Sequence, residues 1–189
     1  MALSLPMTLR VTPEQFWQIC QANPDARLEL NANGEIEPMS PTGWQSSRRN
    51  ASITARLDSW ARETGMGAAF DSSGGFRLPN GAVRSPDAAW VSTEKMARVS
   101  PDEADRFFPG CPDFVIELVS ASDDANSLRA KMGEYQENGA ALGWLIIPQQ
   151  RQVEIFRLGK PVEVLSNPDR LAADDVVPGF ELLAEVLWP

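Results

Sequence analysis

The chain has 189 residues, 43% hydrophobic and 23% charged, which suits one domain large enough to bury its own core. Its formal net charge of −9 argues against a protein that coats nucleic acid through an overall basic surface, while leaving room for a local basic patch around an acidic site. The histidine count is zero, which excludes Ser-His-Asp and Cys-His catalysis, histidine-ligated zinc and histidine as general base.

Acid-base chemistry must therefore use carboxylates, lysine or metal-bound water. No apolar run approaches the roughly 18 residues of a membrane span. Residues 1–7 carry neither a basic start nor a long apolar stretch, so no secretory leader is expected. Cys20 and Cys111 lack metal-ligand spacing and framework partners; they read as reduced thiols of a cytoplasmic protein.

Thr12-Pro13-Glu14-Gln15 predicts a helix start: threonine as N-cap, proline at the first helical position, glutamine closing a capping box. Asn23-Pro24 predicts its end. Residues 27–30 and 35–37, around Asn31-Ala32-Asn33-Gly34, predict a hairpin, and 40–43 a loop. From about 47 to 64, Ile53, Leu57, Trp60 and Ala61 fall at helical spacing, with Gly65 as the stop. Arg48, Arg49, Arg56 and Arg62 decorate that helix, as a solvated face or as a phosphate-contacting surface.

Residues 70–91 read as β-structure with turns at Ser73-Gly74-Gly75 and Asn80-Gly81. Ser100-Pro101-Asp102-Glu103 starts a short helix. A strand over 114–119 precedes a helix over 127–138, stopped by Gly139. Residues 142–147 form a continuous apolar run ended by Pro148, the pattern of a strand buried on both faces. Residues 153–156 and 162–165 predict a peripheral hairpin. The order implies a single α/β domain over 1–189, its core about 27–156, with a mixed central sheet flanked by helices.

Three positions bear on chemistry. Strand alternation puts Phe114, Ile116 and Leu118 on one face and Val115, Glu117 and Val119 on the other, so Glu117 points into an apolar layer. A carboxylate there needs a cation or strong hydrogen bonds; a buried ion pair with an arginine, or an edge strand facing water, would also answer. On the helix, Leu128, Lys131, Met132 and Tyr135 follow the core-facing pattern, which places a lysine in an apolar stripe. Its ammonium can meet Glu117 or snorkel at the stripe's edge. Asp87, between a hairpin and a strand, is a turn residue or a second carboxylate beside Glu117. Glu29 is a possible third and Glu37 a weaker fourth.

In order and spacing, these segments resemble a PD-(D/E)XK nuclease of the restriction-endonuclease-like superfamily, and more closely the bacterial Uma-type endonuclease family. The resemblance rests on Leu28-Glu29-Leu30 with Gly34-Glu35, Ser40-Pro41, Ser85-Pro86-Asp87 and residues 112–120 around Glu117. It continues through Lys131-x-x-x-Tyr135-x-x-x-Gly139 and Trp144-Leu145-Ile146-Ile147-Pro148. It implies that Asp87 and Glu117 ligate Mg²⁺, with Mn²⁺ as an alternative, completed by a backbone carbonyl just after Glu117. Glu29 would lie near the site. The superfamily's lysine position is Val119 here, so Lys131 would supply that group from the helix, with Tyr135 lining the same pocket. Two departures are a residue near Ser46 where the family often has histidine, and Ser127, read as an N-cap, where many members have aspartate.

The implied activity is metal-dependent hydrolysis of DNA phosphodiesters, with Arg48, Arg49, Arg77 and Arg84 as candidates for phosphate contact and a homodimer as the expected assembly. The alternative is a nuclease-like fold used for nucleic-acid or protein binding, with little or no catalysis; the acidic balance and the lack of a basic tail favour it.

Overall fold

A computed structural model describes residues 9–173 and 175–188; residues 1–7, on which the leader expectation rests, lie outside them. Helix α1 (Pro13–Ala22) opens with the expected capping box: Gln15 N–H donates to Thr12 Oγ1 and Thr12 N–H to Gln15 Oε1. The hairpin β1 (Leu28–Leu30) and β2 (Ile36–Pro38) leads to the long helix α2 (Trp44–Thr64), closed by Gly65 at φ 65°. Strands β3 (Gly67–Asp71), β4 (Phe76–Arg77), β5 (Val83–Arg84) and β6 (Ala88–Ser92) follow, then a short helix α3 (Thr93–Met96) and a 3-10 turn at Pro101–Glu103.

Strand β7 (Phe114–Leu118), helix α4 (Ala125–Glu137) and strand β8 (Leu142–Ile147) form the crossover unit. The chain ends through β9 (Gln152–Arg157), β10 (Glu163–Ser166), β11 (Arg170–Ala172), β12 (Glu181–Leu183) and helix α5 (Ala184–Leu187).

The central sheet has six strands in the order β10-β9-β8-β7-β6-β3, antiparallel except for the parallel pair β7–β8 that α4 connects. Period-two alternation sorts β7 as its sequence requires. Phe114, Ile116 and Leu118 pack with Ile53, Leu57 and Trp60 of α2, whereas Val115 and Val119 pack with Met132 and Tyr135 of α4. The methyl end of Met132 on α4 fills the space beside Gly143 of β8: a Cβ there would lie 2.3 Å from Met132 Cε. The hairpin at 152–166 takes the sheet's periphery, β9 buried and β10 forming the edge.

Three differences from the sequence reading concern where elements begin and which strands they join. Ser73-Gly74-Gly75 does not connect paired strands. β3 pairs with β6, while β4 enters a second sheet ordered β2-β1-β5-β4. Phe76 drives that change of sheet by burying its ring against Phe70 and Phe108. Helix α2 starts at Trp44, three residues early. Helix α4 takes Asp124 as N-cap in place of Ser127, because one carboxylate accepts from both Asn126 and Ser127 N–H and suits the positive end of the helix. Among the described residues no helix is long and apolar enough to cross a membrane, and both cysteines are free thiols.

Candidate active site

Asp87 lies at the entrance to β6, where the register Ala88↔Ile116, carried on by one position, sets it opposite Glu117. β6 stops pairing there, and the Asp87 carboxylate takes over as ladder partner: Leu118 N–H donates to Oδ2 (2.8 Å). Asn50 of α2 donates to Oδ1 (2.9 Å). Burial raises the Asp87 pKa, against the Leu118 N–H, which favours the charged form.

Glu117 is buried, as alternation requires. Its Oε1 accepts from Tyr135 Oη (3.1 Å) and ion-pairs with Lys131 Nζ (2.9 Å). Its Oε2 takes no hydrogen bond from a described residue. Burial, helped by the charges of Asp87 and Glu29 and opposed by Lys131, pushes the Glu117 carboxyl up to about 7. Tyr135 is held well above its ordinary pKa, first by burial and then by the Glu117 and Glu29 charges, so it stays a donor.

Lys131 comes from the apolar stripe of α4, its side chain 12% exposed. Nζ donates to Glu29 Oε1 (2.9 Å) as well as meeting Glu117. Burial would lower the ammonium's pKa, but Glu117 and Glu29 outweigh it and hold it above the ordinary value. An ammonium has three donors; two are engaged and one remains toward the cavity that Lys131 lines.

Glu29 links this group to a second one. Its Oε1 also accepts from Ser85 N–H (2.7 Å), and its Oε2 meets Arg84 Nη1 (3.2 Å). Arg84 donates as well to Glu37 Oε2 (2.5 Å) and Glu134 Oε2 (2.6 Å). Burial opposes its charge, but Glu134, Glu29 and Glu37 prevail and its pKa is raised. Two cations thus face five carboxylates, Glu29, Glu37, Glu134, Glu117 and Asp87, a surplus of three negative charges.

Asp87, Glu117, Leu118 and Lys131 line one cavity of about 350 Å³, with Asp123 and Arg27 also on its wall. Among the described residues no three acidic or sulfur side chains converge as a ready-made metal cluster. The donors that do meet, two carboxylates with a free Oε2 and the adjoining Leu118 backbone, are the hard oxygens a small divalent cation takes.

The structure brings Asp87, Glu117, Lys131, Glu29 and Tyr135 together. It places the four arginines differently. Arg84 is 10% exposed and occupied by three carboxylates, which leaves it a structural hub in place of a phosphate contact. Arg77 pairs with Glu103 and lines a separate crevice with Trp17 and Arg106. Arg48 and Arg49 have no carboxylate partner, and Arg49 lines a cleft that adjoins the cavity. Asn50 is the residue that sequence reasoning passed over. It stands three before Ile53 and seven before Leu57, a polar side chain in the buried stripe of α2, the same signal that singled out Lys131.

A model of the Uma2 family, described as "putative restriction endonuclease", matches residues 13–185. No curated protein matches the chain. Among solved structures, one described as a putative nuclease belonging to DUF820 from Anabaena variabilis ATCC 29413 shares the fold. Its TM-score is 0.79 at 19% identity, covering 94% of this chain and 97% of that one.

Proposed function

The chain belongs to the Uma2 family, and we propose that it is a divalent-metal-dependent DNA endonuclease that hydrolyses phosphodiester bonds at the Asp87–Glu117–Lys131 cavity. The observation that carries this reading is the surplus of negative charge around a buried carboxylate whose pKa reaches about 7 beside a lysine with a spare donor. Structural ion pairs normally balance; this one carries an excess of negative charge that a divalent cation would largely offset. Asp87 and Glu117 would hold Mg²⁺ or Mn²⁺, with the Leu118 carbonyl as a further oxygen. Bound there, the ion would supply Lewis acidity toward a phosphoryl oxygen and lower the pKa of a bound water.

The chain's own groups define the rest. Lys131 stays protonated, so it serves as a donor that orients water or meets charge developing on the phosphoryl oxygens, and not as the base. Glu29 and Glu117 fix its ammonium from two sides, and Tyr135 fixes Glu117. Asn50 and Leu118 N–H hold Asp87 in its rotamer. Arg49 and Arg48 supply positive charge for the phosphates on either side.

Incubation of plasmid and of single-stranded DNA with Mg²⁺ or Mn²⁺, beside Asp87→Ala and Lys131→Ala, tests the reading. Cleavage in the wild type alone is expected. Cleavage that survives both substitutions would end this mechanism, and no cleavage of any substrate would favour a binding module on the same fold.

A further inference from the structure

Two clefts open from the active cavity on opposite sides of α2, and they differ in charge. The larger, about 710 Å³, shares Asn50 and Ser72 with the cavity and is lined by Asp58 and Asp71, while its arginine, Arg62, is tied to Asp58 at 2.7 Å. The other, about 520 Å³, shares Ser46, Ser120 and Ser122 with the cavity and has no acidic residue in its wall. It runs between the first turns of α2 and the segments around Ala121 and Gln149. An anionic strand leaving the cavity meets the charge of Asp71, left over beside the Asp58–Arg62 pair, in the first and no acidic wall in the second.

The second cleft also carries unused groups. Trp44 on its rim is 72% exposed, the most exposed of the large apolar side chains among the described residues. Arg49 in its wall has a buried Nε with no hydrogen-bond partner, and burial lowers its pKa. Its guanidinium pairs with no carboxylate, so its charge is open to an anion in the cleft. Across the described residues, Arg27, Arg48, Arg49, Arg151 and Lys160 are the cations without a carboxylate partner. Arg27 lines the active cavity, Arg49 lines this cleft, and Arg48 is its neighbour on α2. In a chain of net charge −9, two of these five cations, Arg27 and Arg49, stand on the walls of the cavity and the cleft.

Resting on the nuclease reading, we propose that this cleft binds the nucleotide next to the scissile phosphate in unpaired form, Arg49 holding its phosphate and Trp44 stacking on its base. An exposed indole stacks on a base only when that base has left the duplex. The cation count agrees. Three free arginines neutralise about three phosphates, fewer than the roughly six to ten contacts of proteins that grip duplex DNA. The substrate is thus a single strand or a locally opened duplex.

Anisotropy of a labelled short oligonucleotide, as single strand and as duplex, with the full chain in EDTA tests this without cutting. The single strand should bind tighter. Trp44→Ala should weaken it roughly ten- to a hundredfold and leave duplex binding unchanged. Arg49→Gln should lower affinity and reduce the salt slope by about one; Lys160→Gln, in an exposed turn, should change neither. Trp44 is solvent-exposed, so its loss leaves the fold intact, and Arg49→Lys should recover part of the binding. Wild-type affinity in both Trp44→Ala and Arg49→Gln, or equal binding of duplex and single strand, overturns the proposal. Cleavage that needs Asp87 but ignores Trp44 and Arg49 overturns it and leaves the nuclease reading standing. Trp44-dependent single-strand binding with no cleavage under any metal supports the cleft and overturns the nuclease.

Discussion

Two buried charge clusters share Glu29, and they are built to opposite ends. Around Arg84, one guanidinium meets Glu29, Glu37 and Glu134, and its charge is favoured. Around Lys131, Glu117 sits with one oxygen doubly occupied and the other free, and its charge is disfavoured. The residue types are alike; what differs is whether the anions are satisfied. A cluster whose cation is shared by three carboxylates holds β1, β5 and α4 together. A cluster that keeps a spare donor and a spare acceptor facing a cavity is available for chemistry, and it costs stability while it waits.

Substitutions in the two clusters should act differently. Asp87→Asn keeps the shape of the side chain and should cut cleavage by roughly a hundredfold or more while the melting temperature barely moves. Arg84→Met strands three carboxylates and should cost about 3–5 kcal/mol, seen as a large drop in Tm. Loss of cleavage in the Arg84 variant should track its unfolding and return at lower temperature. Thermal melts beside cleavage rates separate the two. Equal loss of stability in both variants would show the site to be one structural network.

Glu117→Gln sharpens the comparison through pH. The Glu117 carboxyl is raised from 4.5 to about 7, so the folded state holds this proton more tightly than the unfolded chain. The stability it gives is fully present below about pH 4.5 and is lost as pH rises toward 7. A shift of that size corresponds to roughly 3 kcal/mol. Metal-free wild type should therefore melt lower at pH 8 than at pH 5. Glu117→Gln should flatten that slope and exceed wild type in Tm at pH 8, while abolishing cleavage. A wild-type Tm unchanged across this window would mean that Glu117 is not carrying a disfavoured charge.

How much of this was legible in the sequence depends on whether a residue signals locally. Lys131 was legible because a lysine in an apolar stripe contradicts its surroundings over one helical turn. Glu117 was legible for the same reason over one strand. Asn50 obeyed that rule and was still passed over, since an amide on a buried face costs far less than a charge and so contradicts its surroundings less. Arg84 was not legible: β5 has two residues, too few to show a period, and its partners come from positions 29, 37 and 134. Contacts across such separations depend on the switch between sheets after β3, and no local pattern marks it. Glu29 meets Lys131 across 102 positions, and only the fold assembles them.

Tyr135→Phe is the smallest test, because it removes one oxygen and nothing else. The ring is fully buried against the α4 face of the sheet, and phenylalanine fills the same space. What disappears is the 3.1 Å hydrogen bond to Glu117 Oε1, worth about 1.5–3 kcal/mol for a charged acceptor. That bond favours the ionised form of Glu117, so its loss raises the carboxyl pKa further. The acidic limb of the cleavage–pH profile should move to higher pH by several tenths of a unit, with the rate near pH 8.5 close to wild type. A rate lowered equally at every pH would give Tyr135 a packing role alone. A shifted limb would place its hydroxyl in the service of Glu117, on the chemical side of the divide that Glu29 spans.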